Sequence, residues 1–229
     1  MRLSKETQAI LKNFSTINSS IKLTPGKFIM TCNLGRTIHA SAQIEDEIDI
    51  DAGIFDLPGF LTLLGLVDEN AEISLTEDGS KFAIKGPRSV VYWPSADPAG
   101  LTYPKNTINF PAPTVEFMLK SDTWNQLTRV SRALGVDVIA FNNRDGEVHV
   151  DGFNKQADSA FVRPLLSLNL GDAGTTTDFN FILNMANLKL LVDDYKVKIF
   201  AKGASMASCF EGSTVHVIAV EKSSTHGFN

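Results

Sequence analysis

Two stretches of this chain repeat one order of elements, and that order leaves few architectures open. Ile54-Phe55-Asp56-Leu57-Pro58-Gly59-Phe60 and Ile182-Leu183-Asn184-Met185-Ala186-Asn187-Leu188 each run apolar residues into an Asp or Asn suited to cap a short helix. Each is preceded by an amphipathic helical segment and short strands, and each is followed by three strands. The repeat lies in pattern and order, since identity between the halves is low. It predicts an internal duplication. Each half then becomes antiparallel sheet backed by two helices, an α+β arrangement.

In the first half Ser4 can cap a helix running to about Ile17, with Ile10, Leu11, Phe14 and Ile17 inward and Lys5 and Lys12 on the opposite side. Residues 27–32 meet 36–40 across Asn33-Leu34-Gly35, and 47–54 alternates acidic and apolar residues as a half-buried strand does. Strands 71–75 and 81–84 flank Glu77-Asp78-Gly79-Ser80, and 89–93 closes the half. Pro94, Pro98, Pro104, Pro111 and Pro113 then mark a connector. We therefore expect domains at 1–108, including the start of the connector (94–108), and at 109–229. In the second half 115–119 reads as a strand and 121–134 as a helix with Trp124, Leu127, Val130 and Leu134 on one face and Arg129 and Arg132 pointing away. A hairpin joins 136–141 to 147–150 through Asn143-Arg144-Asp145-Gly146, and strands at 195–201, 206–210 and 214–220 finish the chain.

Composition narrows the function. With 229 residues, 43% hydrophobic and 21% charged, the chain reads as a soluble globular protein. No apolar run approaches the roughly 20 residues that span a bilayer, and the N-terminus turns polar at once, so neither membrane nor signal peptide is expected. Cys32 and Cys209 share no C-x-x-C spacing and read as buried thiols of a reducing cytoplasm. The charge is −5, from 21 Lys and Arg against 26 Asp and Glu, so any contact with nucleic acid must be local.

Catalytic patterns are missing. The sequence has no G-x-S-x-G, H-E-x-x-H or G-x-x-x-x-G-K-[ST], and His39, His149, His216 and His226 show no ligand spacing. Gly171-Asp172-Ala173-Gly174 reads as a turn rather than an anion nest. Glu45, Asp46, Glu47, Asp49 and Asp51 read as the solvated face of a strand rather than a magnesium site, because apolar residues alternate with the last three. No catalytic residue, metal or cofactor is expected. What remains is positive charge sorted onto helices: Lys5 with Lys12 and Arg129 with Arg132 occupy similar places in the two halves. The acids on those faces, Glu6 and Asp122, sit in first turns, where they suit the helix dipole. Lys189 adds a candidate in the fourth helix, whereas its counterpart Leu61 is apolar.

At this level of detail the chain resembles the sliding clamps of T4-type bacteriophages, the trimeric processivity factors of the replicative DNA polymerase. The resemblance covers the whole length. It is carried by Leu11-Lys12-Asn13-Phe14 with Thr16-Ile17-Asn18-Ser19, Asp56-Leu57-Pro58-Gly59-Phe60-Leu61, Ala71-Glu72-Ile73-Ser74 and Trp93-Pro94-Ser95-Ala96-Asp97-Pro98. It continues through Arg129-Val130-Ser131-Arg132, Gly152-Phe153-Asn154-Lys155, Phe179-Asn180-Phe181-Ile182 and Ser224-Thr225-His226. The joint order is specific, and 101–106 matches least.

The resemblance implies a DNA-clamp fold of two similar domains that closes as a homotrimeric ring around duplex DNA without sequence specificity, sheets outside and helices lining the hole. Three copies at −5 would carry −15 in total, while Lys5, Lys12, Arg129, Arg132 and Lys189 would face DNA. It implies no enzyme activity. Subunits would join by pairing 89–93 with an edge strand around 161–166, through Val91, Trp93, Phe161, Arg163 and Leu165. A partner-peptide pocket beside the connector would involve Tyr103, Ile108, Phe110 and Phe228. Implied partners are the viral DNA polymerase, an ATP-dependent clamp loader and, in late transcription, transcription factors and host RNA polymerase, all in the cytoplasm of the infected bacterium. The alternative, a duplicated β-rich virion protein with no DNA role, would explain the repeat and the acidity. It would not require basic residues sorted onto helices. A single-strand binding protein would need aromatics on an open basic groove, which the sequence does not offer.

Overall fold

The computed structural model describes residues 1–68 and 70–228 and divides into two compact units, Met1–Thr107 and Ile108–Asn229. In the first unit α1 (Lys5–Ser15) leads to β1 (Ile21–Leu23), β2 (Gly26–Cys32), β3 (Ile38–Ile48) and β4 (Ala52–Ile54). Then come α2 (Leu57–Val67), β5 (Glu72–Leu75), β6 (Lys81–Lys85) and β7 (Val90–Pro94). Pairing is antiparallel throughout: β1 with β4, β2 with β3, and β5-β6-β7 in that order. Ser4 caps α1 by accepting from the Thr7 N–H at 3.2 Å, and Asp56 caps α2 by accepting from the Gly59 N–H at 3.1 Å. Both caps fall where the sequence placed them. The two helices pack together over one core that includes Leu11, Phe14, Ile48, Phe60 and Phe82, each fully buried side chain contributing about 1.5–3 kcal/mol.

The second unit carries β8 (Val115–Leu119), α3 (Ser121–Leu134), β9 (Val138–Arg144), β10 (Glu147–Phe153), β11 (Leu166–Asp172) and β12 (Phe179–Asn184). A single 3-10 turn, Met185–Asn187, precedes β13 (Tyr195–Lys202), β14 (Ser205–Glu211), β15 (Val215–Ala219) and β16 (Thr225–His226). One antiparallel sheet has the order β11-β10-β9-β12-β16, and β15-β14-β13-β8 forms a second antiparallel run. The β9–β10 hairpin turns at Asp145 and Gly146, with φ of 54° and 86°, as a type I′ connection requires.

Four expectations need correction. The strand read at 47–54 is the end of β3, an interruption at 49–51, and β4; Asp49 and Asp51 are exposed there while Ile50 is buried. The fourth helix is only the 3-10 turn, so the second unit has one α-helix among the described residues. Asn184 does cap the turn, accepting from the Ala186 N–H at 2.8 Å, but the polar groups that follow are bound elsewhere. Tyr195 donates its hydroxyl to the Leu191 carbonyl, and Asp193 and Asp194 accept from Ser213 and Ser121. The inner face of α3 is Trp124, Leu127 and Ser131, whereas Leu134 is 46% exposed. Gly135, with φ of 66°, ends the helix in the left-handed region and turns the chain back so that Val136 N–H reaches the Ser131 carbonyl at 2.8 Å. Finally, 161–165 is loop, and the edge strand begins at Leu166.

Candidate nucleic-acid interface

The long amphipathic helices carry the charge that sequence singled out. On α1 the buried residues are Thr7, Leu11 and Phe14, and Lys5 and Lys12 are exposed away from them. On α3 Arg129 and Arg132 are exposed, away from Trp124 and Leu127. Arg129 lines an open groove of about 760 Å³ along α3 with Asn125, Gln126, Val130, Ala133 and Leu134. Asp122 reaches the same groove from the first turn. The groove is open, and its lining mixes the apolar Val130, Ala133 and Leu134 with Asp122, Asn125, Gln126 and the Arg129 guanidinium. It can meet a phosphate backbone loosely and lacks the enclosed polar groups that would fix a small molecule. Lys189 is half-buried beyond the 3-10 turn rather than on a helix face.

The amino end of α3 is held in a way the local sequence does not reveal. Lys120 occupies the cap position but contributes no side-chain cap. Asp194, entering β13, supplies it instead: its Oδ1 accepts from the Ser121 N–H at 2.8 Å and its Oδ2 from Lys120 Nζ at 2.9 Å. The Ser121 backbone bond and the Lys120 ammonium hold the Asp194 carboxyl down at about 2.

The residues assigned to subunit joints lie on or beside two sheet edges. β7 is the outer strand of its sheet, with Val90 43% and Tyr92 58% exposed and Val91 and Trp93 half-buried. Trp93 also packs edge-on against Phe60 at 6.2 Å, so it supports the core behind that edge. β11 is the outer strand of the other sheet. The loop before it is braced by Asp158, whose Oδ2 accepts from Val162 N–H at 2.8 Å and Arg163 N–H at 2.6 Å. Those backbone groups, Arg163 first, draw its carboxyl below the usual range. Phe161 sits at φ 54°, rare for an aromatic residue, and turns its ring onto Phe153 at 5.5 Å. Val162, Arg163 and Leu165 are left exposed. The resemblance placed this edge strand around 161–166, whereas it runs from Leu166 to Asp172; polar Ser167 and Asn169 and the Gly171-Asp172 turn signal masked it in the residue pattern, and the alternation Leu166, Leu168, Leu170 was the available clue.

The peptide-pocket candidates separate. Tyr103 lies beneath Lys22 Nζ at 5.5 Å and lines a cavity of about 330 Å³ in the first unit with Pro25, Phe28 and Met30. Phe228 lines another, of about 700 Å³, in the second unit with Met206 and Val220. Ile108 is exposed, Phe110 is half-buried, and neither lines those two cavities. Among the described residues no group of three or more His, Cys, Asp or Glu could hold a metal, and no helix is long and apolar enough to cross a membrane. Burial raises the Cys209 thiol to about 11, which leaves it an inert core group.

Two antiparallel units in one chain, with amphipathic helices bearing basic outer faces, define the sliding-clamp class, and solved clamps share the fold. A chain of the PCNA2–PCNA3 complex from Sulfolobus tokodaii superposes with a TM-score of 0.64 over 94% of this chain and 95% of its own, at 16% identity. PCNA from Thermococcus kodakaraensis gives 0.63 over 95% and 96%, at 15% identity. Sequence comparison narrows the class. The family described as DNA polymerase processivity factor matches residues 4–102, and the one described as gp45 sliding clamp, C terminal, matches 116–222. The sliding clamps of Escherichia phage RB69 and Enterobacteria phage T4 are each 47% identical over 100% of both chains. That of Vibrio phage KVP40 is 30% identical over 90% of this chain and 93% of its own. The chain belongs to the sliding clamps of T4-type phages, DNA polymerase processivity factors that are accessory proteins rather than enzymes.

Proposed function

We propose that three copies of this chain close into a ring around duplex DNA and tether the viral DNA polymerase for processive synthesis in the cytoplasm of the infected bacterium. The observation that carries this reading is the sorting of Lys5, Lys12, Arg129 and Arg132 onto exposed helix faces of a protein with a net charge of −5. An acidic exterior repels DNA, while the basic helices and Lys189 face the duplex inside. A ring needs a topological link rather than tight binding. Each neutralised phosphate steepens the salt dependence of binding by about 0.9, so a few loose contacts favour sliding.

Joints form by adding the β7 edge of one copy to the β11 edge of the next, with Val91 and Trp93 meeting Phe161, Arg163 and Leu165 or their neighbours. β7 exposes Val90 and Tyr92, and the loop leading into β11 exposes Val162 and Leu165, which supports this pairing. Partner tail peptides dock beside the connector, at Tyr103, Ile108, Phe110 and Phe228. An ATP-dependent clamp loader opens the ring, and transcription factors with host RNA polymerase use it in late transcription.

The deciding experiment loads the protein with its clamp loader onto nicked circular and linear DNA and separates bound from free protein. Retention on circles with loss from linear ends is expected. Equal loss from both would overturn encirclement. For the joint, Val91→Asp should lower the mass in light scattering from trimer to monomer, and an unchanged trimer removes the assignment of β7.

A further inference from the structure

β11 is the outer strand of the five-stranded sheet, and two of its residues, Ser167 and Asn169, are polar and exposed. Both are held by side chains from the strands behind them. Arg144, on β9, donates through Nη1 to Ser167 Oγ at 3.2 Å and through Nη2 to the carboxylate of Asp151 on β10. Asn142, also on β9, donates to the same Asp151 oxygen at 2.9 Å. Asp151 is 3% exposed, so the guanidinium offsets a charge that the fold has taken out of water. The group therefore crosses three paired strands and ends on the edge strand.

The second hold lies at a bulge. Ser167 pairs with Asp151 and Asn169 with His149, but Val148 lies opposite Gly171, which leaves Leu170 without a partner in the ladder. Asn169 spans this irregularity: its Nδ2 donates to Glu147 Oε2 at 2.6 Å, and its Oδ1 accepts from Gly171 N–H at 2.7 Å. Gly171 sits at φ 99°, in the positive range that a bulge of this kind reserves for glycine. At the other end Leu165 N–H donates to the Gly152 carbonyl at 2.8 Å. Regular pairing is thus confined to 166–169, between the loop and the bulge. Because side chains alternate, a slip of one residue there would exchange the faces of Leu168, opposite the buried Val150, and Ser167.

We propose that Arg144, Asp151 and Asn169 are positioning residues of the subunit joint: they lock the register of β11 so that 166–169 is presented in one frame to β7 of the next copy. This rests on the reading that β11 receives β7. The two edges match in extent, since β7 covers only Val90–Pro94 and Pro94 has no N–H with which to prolong a ladder. Bulges and prolines are devices by which sheet edges limit pairing. Here a bulge on one copy and a proline on the other leave one short frame, and the side-chain ladder behind β11 keeps that frame from slipping.

The test separates assembly from folding. Asn169→Ala, and separately Arg144→Met combined with Asp151→Leu, which puts apolar groups in place of the ion pair, are made both in the unaltered chain and in the Val91→Asp chain. In the Val91→Asp chain, a monomer on the joint reading, the melting midpoint reports folding alone, and Asn169→Ala should hold it within about 2 °C. In the unaltered chain, light scattering over a dilution series reports the trimer, and the concentration at half dissociation should rise about tenfold or more for either variant. An unchanged half-dissociation concentration overturns the register lock and leaves the joint reading standing. So does a monomer whose melting midpoint falls in step with the trimer, since that marks general stability. A Val91→Asp chain that stays trimeric, or an unaltered chain that is monomeric, overturns the joint reading and the proposal with it. Should the double variant fail to fold, Asn169→Ala decides, because its bond to Glu147 is exposed.

Discussion

Single side chains decide which face of α3 is structural and which is left to solvent. Leu127 is 0% exposed and Leu134 is 46% exposed, although both satisfy a helical apolar stripe. Leu127→Ala should therefore cost about 2–5 kcal/mol in chemical denaturation, whereas Leu134→Ala should stay within about 0.5 kcal/mol. Equal losses would restore the stripe that periodicity suggested. Asp194 offers a pH test at the same helix. Its carboxyl sits at about 2 when folded, below the ordinary value of 3.8, so its contribution is full above the unfolded pKa and fades as pH falls through the folded one. The melting temperature of Asp194→Asn should lie below that of the parent at pH 6, and the gap should close between about pH 4 and pH 2. A constant gap would mean that the charge of Asp194 is irrelevant to capping.

At the scale of elements, the caps and turns agree between sequence and structure because their determinants are a few residues long. Asp56 and Ser4 cap α2 and α1, and Asp145-Gly146 turns the hairpin, all within three or four residues of the groups they satisfy. Gly59 shows how one such element is tied to its neighbours. A Cβ there would lie 2.3 Å from Asp56 Oδ2 and 2.8 Å from Trp93 Cη2. Gly59→Ala should cost about 1–3 kcal/mol by overpacking, read from the denaturation midpoint, with the loss shared between the α2 cap and the wall behind β7. The element that failed as predicted is the fourth helix. Its apolar pattern is real, but Asp193 and Asp194 accept hydrogen bonds from Ser213 and Ser121, which lie far along the chain. No local window of the sequence contains those partners.

For the whole molecule, charge sorting and edge pairing lead to different outcomes. Arg132→Ala should leave retention on closed circles intact while lowering the salt slope of direct DNA binding by about 0.9 for each phosphate left without its guanidinium; failure to stay on circles would mean that the arginine grips rather than guides. The sequence by itself determined the family, the order of most strands, the two capped helices of the first unit, and the separation of basic helix faces from an acidic remainder. These are legible because periodicity, capping and turn chemistry act over a few residues, and charge can be counted without coordinates. Only the tertiary structure decided that Ser131 rather than Leu134 is buried and that Phe161 folds onto Phe153 instead of extending β11. It alone placed Asp194, far along the chain, as the cap of α3, and laid the C-terminal tail along β12. Each of these depends on contacts between distant segments, whose geometry is set when the sheets pack and leaves no local pattern in the order of residues.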